Sequence, residues 1–260
     1  MQTKIEAAAG QLREAAKSRI PCSPVRNLIG EAGIETAYAV QAINNTERRK
    51  EGAIMAGSKI GATSVAIQEQ FGIASPDFGV LWADCEIPTD GEISMQAIMQ
   101  PKVEGEIAFV LGRDLTSESI NSTDVMSAID YTVVAIELLG SRIEGWDIHL
   151  TDTIADNASA SHWVVGRKQV QLKNLDLINC NMVMEKNGEI VSRGVGSDCL
   201  GSPINAVLWL ARNMIRLGNP MRAGQVVFTG ALGQVADAEA GDNFRVIVDG
   251  LGETSVRFTR

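Results

Sequence analysis

A short apolar segment preceded by two acidic residues places the strongest constraint on how this chain folds. Residues 107–111, IAFVL, have the composition of a buried strand, and Glu104 and Glu106 precede it on either side of Gly105. Side chains two residues apart on a strand point to the same face, so both carboxylates are directed at one place, where they repel each other. The fold must therefore leave this pair in solvent or supply a positive charge beside it.

A third carboxylate lies in another apolar segment. Glu137 is enclosed by the run 133–139, VVAIELL, and burying a lone glutamate is costly unless a cation shares the site. Two carboxylates on one strand and a third on a neighbouring strand form a set of hard oxygen ligands suited to Mg²⁺ or Mn²⁺. In the alternative interpretation, Glu104 and Glu106 lie at a solvated strand end and Glu137 pairs with an arginine such as Arg142. The spacing alone leaves both interpretations open.

The first part of the chain has the pattern of helices. Apolar residues between Ile5 and Ala16 recur at helical spacing, and Pro21 closes this helix. A second helix is predicted from about Ile34 to Glu51, where an apolar face gives way to a charged stretch. We therefore predict a helical N-terminal region over residues 1–58.

Residues 59–260 have the pattern of a strand-rich body, because short apolar segments alternate there with turn signals. Asn187-Gly188 predicts the two-residue turn of a hairpin. One short helix is expected with Ser122 or Thr123 as its N-cap, and a longer helix is expected with Ser202 as its N-cap. The sequence therefore predicts an α+β fold, with the helical N-terminal region followed by a β-rich domain.

Composition restricts the classes of partner and compartment. The chain has 260 residues and a net charge of −9, which argues against a nucleic-acid or anionic-membrane partner. Its apolar runs are far shorter than the ~20 residues of a membrane span, and its charged N-terminus lacks the apolar core of a signal peptide. The four cysteines are widely scattered, as expected for reduced thiols, so we predict a cytoplasmic protein.

Several segments, in order along nearly the whole chain, resemble the 2-hydroxypenta-2,4-dienoate (2-oxopent-4-enoate) hydratases of the fumarylacetoacetate hydrolase-like superfamily. These segments are GSKIGATS (57–64), SPDFG (75–79), QPKVEGEIAFVLGRDL (100–115), AIELLGSRIEGWDIHLTDTIADNAS (135–159), MEKNGEIVSRGVGSDCLGSP (184–203) and GQVVFTGAL (224–232). This resemblance implies the β-rich fold of that superfamily and a divalent metal, Mg²⁺ or Mn²⁺. It further implies three glutamate ligands, which here are Glu104, Glu106 and Glu137.

The resemblance also assigns roles to three further residues. It implies that Lys59 and Asp77 are catalytic and that Ser159 binds the substrate. On sequence grounds alone, each has an ordinary alternative: a solvated lysine before a turn, a turn-forming aspartate after a proline, and a polar loop residue. His149 and His162 lie near the Ser159 loop, but three carboxylates without histidine suit a hard dication better, so we expect both histidines to be structural.

The implied activity is metal-dependent hydration of 2-hydroxypenta-2,4-dienoate to 4-hydroxy-2-oxopentanoate, in the meta-cleavage degradation of aromatic compounds. The implied ligand is a small 2-oxo or 2-hydroxy acid. The superfamily commonly forms homo-oligomers, and association with a pathway enzyme is a further expectation. Two alternatives stay open at this point: a 4-oxalocrotonate decarboxylase, which shares the metal carboxylates, and a non-catalytic scaffold for a pathway partner.

Overall fold

The computed structural model describes residues 1–31, 33–64, 68–69 and 75–260. Helices form the N-terminal part, with α1 spanning Gln2–Ser18, α2 spanning Arg26–Ile29 and α3 spanning Ile34–Lys50. The first helix ends at Arg19, which adopts a left-handed conformation (φ 59°) two residues before Pro21. Both predicted N-terminal helices are therefore confirmed. Within the described residues, no helix combines the length and the apolar character needed to cross a bilayer.

The larger of two sheets has seven strands in the spatial order β2-β1-β9-β4-β5-β6, with β10 pairing to β4. These strands are β1 Met55–Gly61, β2 Asp77–Trp82, β4 Lys102–Leu111, β5 Ile129–Leu139, β6 Ala160–Val165, β9 Val226–Phe228 and β10 Ala236–Asp237. Strands β4 and β5 are the two apolar segments that carry the glutamates, and they pair antiparallel along almost their whole length.

The second sheet has five strands in the order β3-β12-β11-β7-β8. They are β3 Gly91–Ser94, β7 Asn181–Lys186, β8 Glu189–Val195, β11 Asn243–Val248 and β12 Gly252–Thr259. The β7–β8 hairpin turns at Asn187 (φ 56°) and Gly188 (φ 86°), as predicted, because both turn positions need positive φ.

Further along the described chain lie the helices α4 Ser122–Ala128, α5 Leu150–Ala155 and α6 Pro203–Arg216. Ser202 caps α6 by accepting a hydrogen bond from the backbone N–H of Ile204, as predicted. The predicted cap of α4 was wrong. Asn121, rather than Ser122 or Thr123, is the N-cap. Its side chain accepts hydrogen bonds from two backbone N–H groups, and the Asp124 carboxylate accepts a hydrogen bond from the backbone N–H of Asn121.

Gly105 explains how the glutamate strand fits between the two sheets. A Cβ at this position would lie 2.9 Å from Met182 Sδ and 3.1 Å from Val246 Cγ1, both in the second sheet. The second sheet therefore packs directly against the face of β4 that carries Gly105, and only a residue without a side chain permits this approach. Glu104 and Glu106 alternate with Gly105 and face the opposite side of the strand.

The N-terminal helices pack on the segment that leads from β5 to β6. Ala8, Leu12 and Val40 form one apolar cluster with Ile143, Ile148 and Ile154 of that segment. The architecture is the predicted α+β fold, with helices first and sheets in the remainder. The division of the chain at residues 58 and 59 stays a prediction, since the two parts share this cluster.

Candidate metal and substrate site

The pairing of β4 with β5 brings the three glutamates together. The register places Glu104 directly opposite Glu137 and Glu106 opposite Ala135. One carboxylate oxygen from each glutamate lies within 4.8 Å of the others, and the exposed fractions of Glu104, Glu106 and Glu137 are 5%, 0% and 0%. The alternative of a solvated strand end is therefore wrong. Arg142 does not fill the gap either, since its guanidinium pairs with Asp156.

Lys59 is the cation that approaches this group. Its Nζ lies 3.1 Å from Glu137 Oε1, and both side chains are buried. Strands β9 and β4 separate β1 from β5 in the sheet order, so on a flat sheet their backbones would be about 14 Å apart. The sheet must therefore curve, so that Lys59 and Glu137 converge on its inner face. The alternative of a solvated Lys59 is wrong.

The electrostatics of the group favour an additional cation. Burial raises the pKa of all three glutamates, that of Glu104 to about 8, and the mutual repulsion of the carboxylates adds to the effect at Glu104 and Glu106. Burial acts to lower the pKa of Lys59, but the carboxylates of Glu137 and Asp77 raise it overall. One ammonium cannot balance three ionised carboxylates, and a divalent ion would supply the missing charge.

Some oxygens of the three glutamates have a hydrogen-bond donor and others do not. Glu106 Oε2 accepts from the backbone N–H of Gly230 at 2.7 Å. In contrast, Glu106 Oε1 and Glu137 Oε2 are buried and accept no hydrogen bond from an N–H or hydroxyl group that the structure describes; the neighbour of each carboxyl group is the other one. Unpaired buried oxygens are costly. These hard oxygen donors fit Mg²⁺ or a similar dication, which would satisfy them.

Asp77 lies at the start of β2, opposite Gly61 of β1. It is buried, and burial raises its pKa despite the nearby ammonium of Lys59 and hydrogen bonds from the Thr153 side chain and the Gly61 backbone. A Cβ on Gly61 would lie 2.1 Å from Asp77 Oδ1, so the close approach of the carboxylate requires glycine. Asp77 is thus a site residue by position, not an exposed turn residue.

Ser159 is carried by a turn with an unusual backbone. Asn157, Ala158 and Ser159 have φ values of 56°, 51° and 56°, a conformation that costs L-residues roughly 1–2 kcal/mol each. The Asn157 side chain holds the turn by bonding both the N–H and the C=O of Val80. Ser159 Oγ lies 3.3 Å from Thr153 Oγ1, which links it to the Asp77 side of the site.

Four of the predicted residues line one cavity of about 40 Å³: Lys59, Asp77, Glu104 and Ser159. Glu106 and Glu137 lie behind them in the carboxylate group. The structure therefore brings all six predicted residues together, and their individual roles stay predictions. Thr153 and the large apolar residues of the lining, Leu139, Trp146 and Ile148, were not among the predicted residues. The alternation of polar and apolar residues in the segment 139–159 was the available signal.

The two histidines lie outside this cavity. His149 is the N-cap residue of α5, and its side chain is 54% exposed. His162 contacts Ser161 Oγ at 2.9 Å and lines a separate cleft with Arg48 and Arg142. Burial and these neighbouring guanidinium groups lower the pKa of His162 to about 4. Neither position contradicts the expectation that both histidines are structural.

The sequence profile of the fumarylacetoacetate (FAA) hydrolase C-terminal family matches residues 57–259. That match begins within β1 and covers β2 to β12, and it therefore contains all six predicted site residues. Residues 1–56, which contain helices α1 to α3, precede the matched part.

Full-length relatives are similar to the whole chain. It is 48% identical over 256 residues to the TodF product hydratase of Pseudomonas putida, with 98% of this chain and 96% of the relative covered. It is 47% identical over 254 residues to 2-keto-4-pentenoate hydratase 1 of Dechloromonas aromatica, with 97% and 96% covered. The helical N-terminal region is thus shared with these hydratases.

A solved structure also matches over nearly the full length. It is a 4-oxalocrotonate decarboxylase from Pseudomonas putida G7, complexed with magnesium and adipate. The TM-score is 0.93 and the identity 31%, with 99% of this chain and 98% of that chain covered. The curved sheet, the carboxylate group and these matches lead to one conclusion. The chain belongs to the fumarylacetoacetate hydrolase family and, within it, groups with the 2-keto-4-pentenoate hydratases.

Proposed function

We propose that the protein hydrates 2-hydroxypenta-2,4-dienoate to 4-hydroxy-2-oxopentanoate, with a divalent ion held by Glu104, Glu106 and Glu137. The observation that carries this proposal is the buried group of three carboxylates, whose unsatisfied oxygens and excess negative charge match a dication. The relatives that are named hydratases support the reaction. When bound, Mg²⁺ or Mn²⁺ supplies Lewis acidity that stabilises negative charge on the substrate oxygens.

The reaction needs two protonations at carbon and one water. The dienol loses its hydroxyl proton and gains a proton at C5, which gives the conjugated 2-oxo-3-enoate. Water then adds its hydroxyl group at C4, and a proton is gained at C3. Positioned acids and bases contribute about 10²–10⁴-fold to steps of this kind.

The residues that line the cavity suit these steps. The Lys59 ammonium is fixed beside Glu137, and we assign to it the stabilisation of the substrate carboxylate or 2-oxygen. Asp77 is held at the cavity by Thr153 and Gly61, and we assign to its carboxyl group the proton transfer or the orientation of water. Ser159 Oγ, fixed by the left-handed turn, would donate a hydrogen bond to the substrate.

Assembly and location belong to the same proposal. We propose a cytoplasmic homo-oligomer that associates with a pathway enzyme. The support for oligomerisation is strand β8, an edge of the second sheet on which Ile190 and Val191 are 48% and 37% exposed, because apolar edge strands are usually covered by a neighbour. Size-exclusion chromatography with light scattering tests this part.

The test of the activity is an ultraviolet assay with freshly generated 2-hydroxypenta-2,4-dienoate, before and after removal of metal by EDTA. We expect loss of dienol absorbance that yields 4-hydroxy-2-oxopentanoate, stops on metal removal and returns with Mg²⁺ or Mn²⁺. Unchanged turnover by protein whose metal content is shown to be negligible would refute the metal-dependent mechanism. Release of CO₂ from 4-oxalocrotonate without dienoate hydration would indicate the decarboxylase instead.

A further inference from the structure

The cavity of the candidate site is lined by two chemically different sets of side chains. Lys59, Asp77 and Glu104 supply charged groups, and Leu139, Trp146 and Ile148 supply large apolar groups. Leu139 and Ile148 are almost completely buried. A ligand whose carboxylate and adjoining oxygen bind at the charged groups would leave the apolar groups as contacts for its remaining carbons.

Among the described residues that line this cavity, Lys59 is the one cation, and it is engaged by Glu137. A second cation, Lys102, approaches one of these apolar side chains, Trp146, and is not itself among the lining residues. Lys102 precedes Glu104 by two residues on β4 and therefore shares its face. Its Nζ lies 5.3 Å from the centre of the Trp146 ring, and it pairs with the exposed carboxylate of Asp237. The indole covers this ammonium group, which is not part of the lining.

The Trp146 indole is held firmly in that position. Its Nε1–H donates to the backbone oxygen of Gln100 at 3.0 Å, and Gln100 Oε1 accepts from the backbone N–H of Gly145 at 2.8 Å. Trp146 and Gln100 have φ values of 57° and 48°. Left-handed backbone at residues other than glycine persists where the surrounding contacts impose it, and it concentrates at functional sites. The ring is therefore placed by its contacts and not by local preference.

We propose that Trp146 determines specificity by screening the substrate tail from Lys102, so that the cavity accepts an uncharged tail and rejects a second carboxylate. This inference rests on the proposed function and narrows its substrate class to 2-hydroxydienoates with a vinyl or small alkyl end. A carboxylate placed against Leu139, Trp146 and Ile148 would lose its hydration without gaining a partner. Removing the indole would expose the Lys102 ammonium as that partner.

The test measures binding of adipate and hexanoate by calorimetry in the presence of Mg²⁺. These six-carbon acids differ in the second carboxylate alone. We expect the native protein to bind hexanoate at least about tenfold more tightly than adipate, the size of one unmade charged hydrogen bond. Trp146→Ala should shift this ratio toward adipate by at least about tenfold. Adding Lys102→Met to that variant should reverse the shift.

Two control variants keep the proposal falsifiable if Trp146→Ala does not fold. Trp146→Phe retains a screening ring, and Lys102→Met alone removes a cation that the indole covers, so both should leave the ratio near the native value. The proposal is overturned if native protein binds adipate as tightly as hexanoate, or if Lys102→Met alone changes the ratio. It is also overturned if the double variant behaves like Trp146→Ala. Binding that follows the expected pattern in a protein without hydratase activity would refute the proposed function alone.

Discussion

Two groups of buried carboxylates meet at the segment 152–159, and their charges are balanced in different ways. On one side, Asp152 and Asp156 pair with Arg26 and Arg142. Asp152 also accepts from the backbone N–H groups of Arg26 and His149. On the other side, the three glutamates share one lysine and leave two carboxylate oxygens without a hydrogen bond from a described N–H or hydroxyl group. Complete pairing marks the first group as structural, and incomplete pairing marks the second as a binding site.

The difference follows from the physics of burial. A buried carboxylate that has a guanidinium partner and backbone donors is satisfied, so its removal leaves an uncompensated arginine. A buried carboxylate without such partners destabilises the empty protein, and the fold retains it at a cost that ligand binding must offset. Replacing a carboxylate by the uncharged amide should therefore change stability in opposite directions in the two groups.

Glu106→Gln should produce the largest effect, because it removes a charge from the proposed metal site. We expect kcat/KM for dienoate hydration to fall at least about 10³-fold, the size expected for loss of a main electrostatic contribution. The thermal midpoint without added metal should stay the same or rise, since a repulsive buried charge is gone. A fall in stability with activity retained would place Glu106 in the structural group.

Asp152→Asn should have the opposite outcome. Breaking a buried ion pair costs about 3–5 kcal/mol, and Asp152 is fully buried beside Arg26. We expect denaturant unfolding to show a loss of about 3 kcal/mol, whereas folded protein retains its affinity for Mg²⁺. Asp147→Asn is the matched control, because its partner is the same arginine but its side chain is 62% exposed, so little stability should be lost.

Next to the paired carboxylates, His162 makes the stability of the protein depend on pH. His162 lines the cleft that contains Arg142 and Asp156, and its pKa is lowered from 6.5 to about 4 by burial and nearby arginines. The unfolded chain therefore takes up this proton at higher pH than the folded chain does. The contribution of His162 to stability is complete above pH 6.5 and is lost as pH falls toward 4.

The measurement for His162 is the unfolding free energy of native protein and His162→Gln between pH 4 and 7. The native protein should lose about 3 kcal/mol more than the variant as pH falls through this window. Parallel curves for the two proteins would show that this histidine titrates alike in the folded and unfolded states.

Ser159→Ala should produce the smallest effect, because it removes one hydroxyl group from a turn that Asn157 holds. We expect kcat/KM to fall about tenfold, the size of one hydrogen bond to a charged group. Stability should change little, since the hydrogen bonds of Asn157 to Val80 stay in place. If Mg²⁺ affinity falls as strongly as turnover, Ser159 contributes to the metal site and not to substrate binding.

The sequence predicted those parts of the fold and site that depend on local pattern. Strand alternation placed Glu104 and Glu106 on one face, Asn187-Gly188 formed the predicted turn, and Ser202 capped its helix. Resemblance to a family, not local pattern, was needed to connect Lys59 with the glutamates, because 78 residues and two strands separate it from Glu137.

Other features could not be read from local pattern because they depend on packing between distant segments. The direct opposition of Glu104 and Glu137 is a matter of strand register. The position of the Trp146 indole in the cavity lining depends on the hydrogen bonds of Gln100, which lies 46 positions earlier. The N-cap of α4 was predicted one or two residues too late, because Ser122 and Thr123 are also common N-cap residues. Asn121 is the one whose side chain and backbone both form the capping hydrogen bonds.

The most direct test of the central claim is a crystal structure grown with Mn²⁺ and measured for anomalous scattering. The account predicts one strong peak with carboxylate oxygens of Glu104, Glu106 and Glu137 each about 2.0–2.5 Å away. Unoccupied glutamates in crystals whose Mn²⁺ binds elsewhere, or a Lys59 ammonium that alone fills the space between them, would contradict it.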